Sequence, residues 1–405
     1  MDRPTRVIAA FAVPLVAVAL LAMSRGSAAA APTLPAHTIT GYWQNFDNGA
    51  TNLRLRDVPS QYGIVAVAFA DATAEPGGVT FALDPTLSSR LGGYDAAAFR
   101  ADVAALQAQG RKVVLSVGGQ NGAISLPDAA AATRFADTAW GLMGSWGFDG
   151  VDIDLENAPN LQNMTSALRR LASLAGPGFV LTMAPETLYV QPGGSYLQLI
   201  DQVRDLVTVV NTQYYNSGSM LGRDGRVYSP GTPDFLTALA DILLDGHLRP
   251  DQVGLGVPAS PSAAGSGYVD PSVVDSALSC LASGASCGSY RPAAQYPAIR
   301  GAMTWSVNWD ASNGYRFATT VGAHLGTLPG GGGPTTPATT PPATTPPPTT
   351  PAAGCASLAA WDRAAVYWGG AVVSFEGHRW TARWWTQGDV PGRNGQDVWR
   401  DDGPC

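Results

Sequence analysis

Lysine is almost missing from this chain: Lys112 is the only one among 24 lysine and arginine residues in 405. That bias fits a GC-rich coding sequence and says nothing about mechanism. Charged residues make up 14% and hydrophobic ones 45%, so most of the chain can bury a core. The net charge is −7 and there is no basic block, which argues against nucleic acid as a partner. Histidine is scarce too. His37, His247, His324 and His378 stand apart with no H-E-x-x-H spacing, so neither a metal site nor a cofactor is expected. Beyond the N-terminal segment no apolar run is long enough to span a bilayer.

Residues 1–30 have the layout of an export signal. Arg3 and Arg6 give a basic start, Val7 to Met23 is apolar, and Ala28 to Ala30 supplies small residues for cleavage. The apolar run is short for a membrane anchor, so the mature chain is expected to be secreted, free of the membrane and monomeric. Export permits disulfides. The four cysteines allow three pairings. Pairing within each half of the chain gives Cys280–Cys287 and Cys355–Cys405.

Residues 328–354 are almost entirely Pro, Thr, Gly and Ala. Such a segment forms no core and favours an extended spacer, at about 3.1 Å per residue. It divides a large domain, 37–327, from a small one, 355–405. The large domain carries eight short apolar runs: Thr38–Tyr42, Ile64–Phe69, Lys112–Val117, Gly150–Leu155, Phe179–Met183, Leu206–Gln213, Gln252–Val257 and Gly301–Ser306. Helical stretches stand between them, such as Asp95–Gln109 before Gly110 and Ala129–Trp146 before Gly147. The alternation predicts an α/β fold, a (β/α)8 TIM barrel. An open doubly wound sheet is the competing arrangement. It needs a Gly-rich phosphate loop after the first strand, and Gly41-Tyr42-Trp43-Gln44 is not one.

The fourth run carries the chemistry: Phe148-Asp149-Gly150-Val151-Asp152-Ile153-Asp154-Leu155-Glu156. Side chains alternate along a strand. Val151, Ile153 and Leu155 therefore face the helices, while Asp152, Asp154 and Glu156 face the barrel. Glu156 comes last, at the C-terminal rim where barrel enzymes keep their reactive groups. Three acids on one interior face cannot all ionise, so at least one is expected to hold a proton near neutral pH. A general acid needs that property. A calcium site and an exposed acidic strand are the alternatives. The regular aliphatic alternation speaks against the first and a central barrel strand against the second.

This run resembles the D-x-x-D-x-D-x-E signature of glycoside hydrolase family 18, the chitinases, at Asp149, Asp152, Asp154 and Glu156. Ser116-Val117-Gly118-Gly119 matches the family's S-x-G-G. Met183-Ala184-Pro185-Glu186, Gln213-Tyr214-Tyr215-Asn216 and Met303-Thr304-Trp305 match family motifs on the fifth, sixth and eighth strands. The resemblance implies hydrolysis of chitin and chitooligosaccharides. Retaining glycosidases ordinarily place a second carboxylate across the scissile bond; family 18 instead uses the substrate's 2-acetamido oxygen as nucleophile. Asp154, on the same strand and face as Glu156, suits that scheme. The resemblance makes Glu156 the acid and then the base, and has Asp154 orient the acetamido N–H. It has Asp152 share a proton with Asp154, and Tyr215 hydrogen-bond the acetamido oxygen. Trp305 becomes the floor under the sugar. Tyr42, Phe69, Met183, Gln213, Asn216, Ser116, Gly118 and Gly119 are expected around it. Asp149, of opposite parity, is expected to be structural. About 43 residues separate the seventh and eighth strands, too few for the α+β insertion of some members, so an open cleft and internal cuts are expected.

Residues 355–405 hold six of the chain's 11 tryptophans: Trp361, Trp368, Trp380, Trp384, Trp385 and Trp399. So small a unit cannot bury them all and is expected to need its disulfide. Trp380-Thr381-Ala382-Arg383-Trp384-Trp385-Thr386-Gln387-Gly388 resembles the A-x-W-W-T-Q-G motif of family 5/12 carbohydrate-binding modules. That implies a small all-β module in which Trp384 and Trp385 bind chitin and Trp361 and Trp399 pack inside. The alternatives are an endo-β-N-acetylglucosaminidase on N-glycans, a non-catalytic chitin-binding protein and a peptidoglycan enzyme.

Overall fold

The eight apolar runs fold as parallel strands: β1 Thr38–Gln44, β2 Tyr62–Ala72, β3 Lys112–Gly118, β4 Gly150–Asp154, β5 Val180–Met183, β6 Val209–Gln213, β7 Val253–Pro258 and β8 Gly301–Trp305. The structure is a computed structural model. It describes residues 34–330 except 121, 123 and 157–159, and residues 358–404 except 364, 368–370, 383–385 and 394–397. The described residues fall into two compact units.

In the larger unit each strand pairs with the next in sequence, and β8 pairs with β1, so the sheet closes as a (β/α)8 barrel. Some strand ends differ from expectation. β6 starts at Val209, because residues 204–208 turn away from the preceding helix. Ser306 is not in β8 but caps the helix after it.

The helices are α1 Pro85–Arg90, α2 Ala96–Ala108, α3 Ala129–Trp146, α4 Leu161–Ala175, α5 Ser195–Val203, α6 Pro233–Leu244, α7 Pro271–Ser283, α8 Val307–Ser312 and α9 Arg316–Leu325. Polar caps start most of them. Asp84, Asp95, Asp128, Asn160, Thr232, Asp270 and Ser306 each accept a first-turn backbone N–H. Gly147 ends α3 at φ 84°, a left-handed cap that favours glycine. The β1–β2 connection breaks the alternation: it holds a single 3-10 turn, Leu55–Asp57, and no α-helix. The Arg111 guanidinium ties its end down by donating to the carbonyls of Val58, Pro59 and Tyr62 at 2.9, 3.0 and 2.7 Å.

Strand parity creates two cores. Val65, Leu115, Val117, Val151, Ile153 and Leu181 face outward and pack with helix residues such as Phe99, Phe135 and Leu168. Each such fully buried side chain stabilises the fold by about 1.5–3 kcal/mol. Ile64, Ala66, Val114, Val180, Ala184, Val209 and Met303 face inward with Tyr42 and Tyr215. Between β7 and β8 lie α7, the Cys280–Cys287 disulfide and a loop. Buried Asp241 on α6 anchors that loop, accepting from the hydroxyls of Tyr290 and Tyr296 at 2.5 and 2.6 Å and from Arg223 at 3.3 Å. Among the described residues of that segment there is no strand, so no α+β wall rises there.

The smaller unit is all-β. Its strands are β9 Val366–Tyr367, β10 Val372–Phe375, β11 His378–Ala382, β12 Thr386–Gln387 and β13 Trp399–Pro404. β10, β11 and β13 form an antiparallel sheet, and β9 pairs with β12. Val373, Ala382, Val398 and Trp399 form its core, with Trp361, Tyr367 and Trp380 packed against it. Trp399 thus lies inside, as expected, while Trp361 is partly buried against that core. Trp368, Trp384, Trp385, Cys355 and Cys405 lie outside the described residues. Among the described residues no helix is long and apolar enough to cross a membrane.

Candidate active site

β4 stands in the barrel wall between β3 and β5 and is buried along its whole length. Asp152 sits deepest, with no exposed surface. Three strands each send it a hydroxyl. Thr182 of β5 donates to Oδ1 at 2.5 Å, while Tyr42 of β1 and Ser116 of β3 donate to Oδ2 at 2.8 and 2.7 Å. Burial raises the Asp152 pKa, and these three donors oppose the rise.

Asp154 lies one inward step higher. Gln213 of β6 donates to its Oδ1 at 2.7 Å through Nε2, which also donates to the Ala184 carbonyl at 2.8 Å. Burial pushes the Asp154 carboxyl well above the usual carboxylate range, and the charges of Asp152 and Glu156 push it further. The expected proton shared between Asp152 and Asp154 does not appear as a hydrogen bond among the described residues. Hydroxyl donors occupy Asp152, and Asp154 turns its Oδ1 to an amide.

The ladder of β4 ends at Asp154. The Tyr196 hydroxyl, from α5, then pins Leu155 twice. It accepts the Leu155 N–H and donates to the Leu155 carbonyl, both at 2.9 Å. Glu156 follows directly and is exposed at the C-terminal rim. Partial desolvation there raises its pKa, and the nearby charge of Glu186 adds to the rise.

Beside these acids β3 ends in two glycines at positive φ, 123° for Gly118 and 74° for Gly119. A Cβ at Gly118 would come within 2.1 Å of the Asp154 carbonyl oxygen, and one at Gly119 within 2.7 Å of the Phe69 ring. Only glycine lets the chain pass this close to both. The Gly119 N–H completes the contact by donating to the Asp154 carbonyl at 2.7 Å.

A group of aromatic rings lies at the same end. Trp305 ends β8 partly buried, 5.5 Å from Tyr42 and 5.7 Å from Phe69, which is nearly parallel to it at 17°. Phe46, not anticipated from the sequence, stacks on Phe69 at 6.4 Å and 14°. Its only sequence signal was its place just past the end of β1. Tyr215 faces the barrel interior, whereas Tyr214 packs outward on Phe235, so parity separates the two tyrosines. Burial pushes the Tyr215 phenol well up, and the Asp154 and Glu156 charges add to this. Asn216 is exposed, and its Oδ1 accepts from the Ser266 N–H at 3.1 Å, which holds the loop after β7.

Two residues expected to line the pocket sit elsewhere, Met183 and Ser116, whereas Tyr42 lies in the aromatic group beside Trp305. Met183 is fully buried on the helix-facing side, because Thr182 before it points inward and parity sends Met183 out. Ser116 is fully buried beneath Asp152 and supports that carboxylate. Tyr42 is also buried, with its hydroxyl on Asp152. Asp149 is structural, as its parity implied. It binds Lys112 Nζ at 3.1 Å, Gln107 at 2.9 Å and the Val113 N–H at 2.8 Å.

An exposed carboxyl with a raised pKa, a buried acid whose pKa is also raised beside it and an aromatic surface together suit proton donation to a bound sugar ether. Comparison with known proteins agrees. The sequence profile described as Glycosyl hydrolases family 18 matches residues 38–322, nearly the whole barrel. The chain belongs to glycosyl hydrolase family 18. This family 18 chain also matches the profile of carbohydrate-binding module family 5/12 over residues 360–400. It is 41% identical to chitinase Chi52 of Paenibacillus xylanexedens, over 73% of this chain and 62% of that protein. It is likewise 41% identical to chitinase D of Niallia circulans, over 69% and 60%. The chain thus spans about three fifths of the length of these curated relatives. Among solved structures it is 57% identical to a Streptomyces coelicolor protein provisionally named chitinase A, with a TM-score of 0.70 over 72% of this chain and 99% of that one. A family 18 chitinase from Chromobacterium violaceum is 40% identical, with a TM-score of 0.67 over 72% and 85%.

Proposed function

We propose that this chain hydrolyses β-1,4 bonds within chitin and chitooligosaccharides, with retention of configuration, using the substrate's own acetamido group as nucleophile. The observation that carries this reading is the placement of exposed Glu156 two residues beyond buried Asp154, the last residue of β4. Glu156 donates its proton to the bridging oxygen as the acetamido oxygen attacks the anomeric carbon from the other face. Asp154 accepts a hydrogen bond from the acetamido N–H and orients the group, with Asp152 behind it. Tyr215 donates its hydroxyl to the acetamido oxygen. Trp305 and Phe69 carry the apolar face of the sugar. Glu156, now a carboxylate, takes a proton from the incoming water and is reset.

The chain's organisation follows the same reading. Residues 1–30 direct export to the cell exterior and 37–327 form the catalytic domain. Residues 328–354 are a spacer. Residues 355–405, closed by Cys355–Cys405, hold the enzyme on insoluble chitin through Trp384 and Trp385. The enzyme acts as a monomer.

The decisive experiment is timed product analysis on defined chitooligosaccharides with anomers resolved. Internal cuts that release β-anomers support the proposal. Initial α-anomers would exclude substrate assistance, and activity on N-glycans without activity on chitin would exclude the substrate.

A further inference from the structure

Glu156 is not the only carboxylate at this rim. In the β4–β5 ladder Asp152 pairs with Thr182 and Ile153 with Met183, and the Ala184 N–H donates to the Ile153 carbonyl at 3.0 Å. Continued past both strand ends, that register sets Glu156 level with Glu186. Parity agrees. Thr182 and Ala184 face the barrel interior, and Glu186 lies two residues beyond Ala184. On its other side Glu186 bridges to Gln213, the residue that holds Asp154. Neighbouring strands lie about 4.8 Å apart. The two glutamates therefore share one patch of the barrel mouth.

The fold makes no visible use of the Glu186 carboxylate. Glu186 precedes the short 3-10 turn Thr187–Val190, yet its side chain caps no N–H there. Among the described residues it has neither a hydrogen-bond partner nor an ion-pair partner. It is half-buried, where an idle carboxylate is costly. The titratable groups around Glu156 are Asp152 and Asp154 on β4 just before it, Glu186 after β5, Tyr215 after β6 and Tyr196 from α5. All are acids or phenols, and among the described residues no cation acts on Glu156.

We propose that Glu186 is a positioning residue for the proton: its negative charge, one strand away, keeps Glu156 protonated at the pH where the chain works. This rests on the reading of Glu156 as the general acid. The neighbouring effects agree with this. Burial alone raises Glu186, whereas burial and the Glu186 charge together raise Glu156. A Glu186 carboxylate, once charged, resists ionisation of the acid beside it.

The test is the pH profile of kcat/KM on a soluble chitooligosaccharide for the parent, Glu186→Gln, Glu186→Asp and Glu156→Gln. Gln keeps the shape of Glu and removes its charge, so Glu156 ionises at lower pH and the alkaline limb moves toward acid. The loss is concentrated on the alkaline side, about three- to tenfold there. Glu186→Asp restores the limb. An unmoved limb, or an equal loss at every pH, beside an inactive Glu156→Gln would overturn the Glu186 role alone. Retained turnover in Glu156→Gln would overturn the acid reading and this inference with it.

Discussion

The amide of Gln213 clamps Asp154: one nitrogen donates both to the Asp154 carboxyl at 2.7 Å and to the Ala184 carbonyl at 2.8 Å. The amide can do so because β6 lies one strand beyond β5, and Gln213, level with Glu186, stands one inward step above Asp154 and reaches down to it. The orientation of Asp154 is thus fixed from two strands away and not from its own strand.

Gln213→Leu removes the clamp and keeps the bulk. Asp154 then loses its fixed rotamer, and kcat is expected to fall about 10- to 100-fold through misplacement of the acetamido group. The unpaired Ala184 carbonyl costs about 1–3 kcal/mol. Steady-state kinetics beside thermal unfolding check both effects. A fall in stability with kcat intact would show that the clamp is only structural.

Asp154→Asn separates stability from activity. The folded-state pKa of Asp154 is raised, so the stability contributed by its proton is fully present below the unfolded value near 3.9. It is lost as pH rises toward the folded value. Asn has no proton to release. The Tm of Asp154→Asn relative to the parent is therefore expected to climb from about pH 4 to pH 7, while turnover is lost. A flat difference across that range would contradict a buried, raised Asp154.

Gly119→Ala adds one methyl group at φ 74°, facing the Phe69 ring at 2.7 Å. Strain and overpacking together are expected to cost about 1–3 kcal/mol. The shifted ring also disturbs Trp305, which lies 5.7 Å away, so KM rises with the fall in Tm. Calorimetry and Michaelis kinetics on the same preparation test the pair of effects.

Asp241→Asn weakens the anchor of the loop between α7 and β8. Two tyrosine hydroxyls and Arg223 lose a shared buried charge, at a cost of about 2–4 kcal/mol. Denaturant unfolding is the measurement. A midpoint unchanged from the parent would mean the disulfide alone secures that segment.

What could be read in the sequence follows the range of each interaction. The barrel strands were legible as apolar runs between glycines and capped helices, because those signals are local. The acid strand was legible because a period of two is written directly in Asp152, Asp154 and Glu156. Met183 was placed wrongly because it was taken from a motif and not from its own parity. Tyr196, Phe46 and the Asp241 anchor were not legible. Their partners lie 41 residues away for Tyr196 and 49 and 55 for Asp241, and no local pattern encodes such meetings. Glu186 stood inside a quoted motif, but only the β4–β5 register sets it level with Glu156.

The double hold of Tyr196 on Leu155 gives the proton donor an unusual mounting. A helix of the outer ring rivets the backbone just before Glu156, where the sheet has already let go. The carboxyl thus hangs from a point of backbone held from outside the barrel wall. Any change that loosens α5 would blur the aim of Glu156 before it disturbed a single residue lining the cleft.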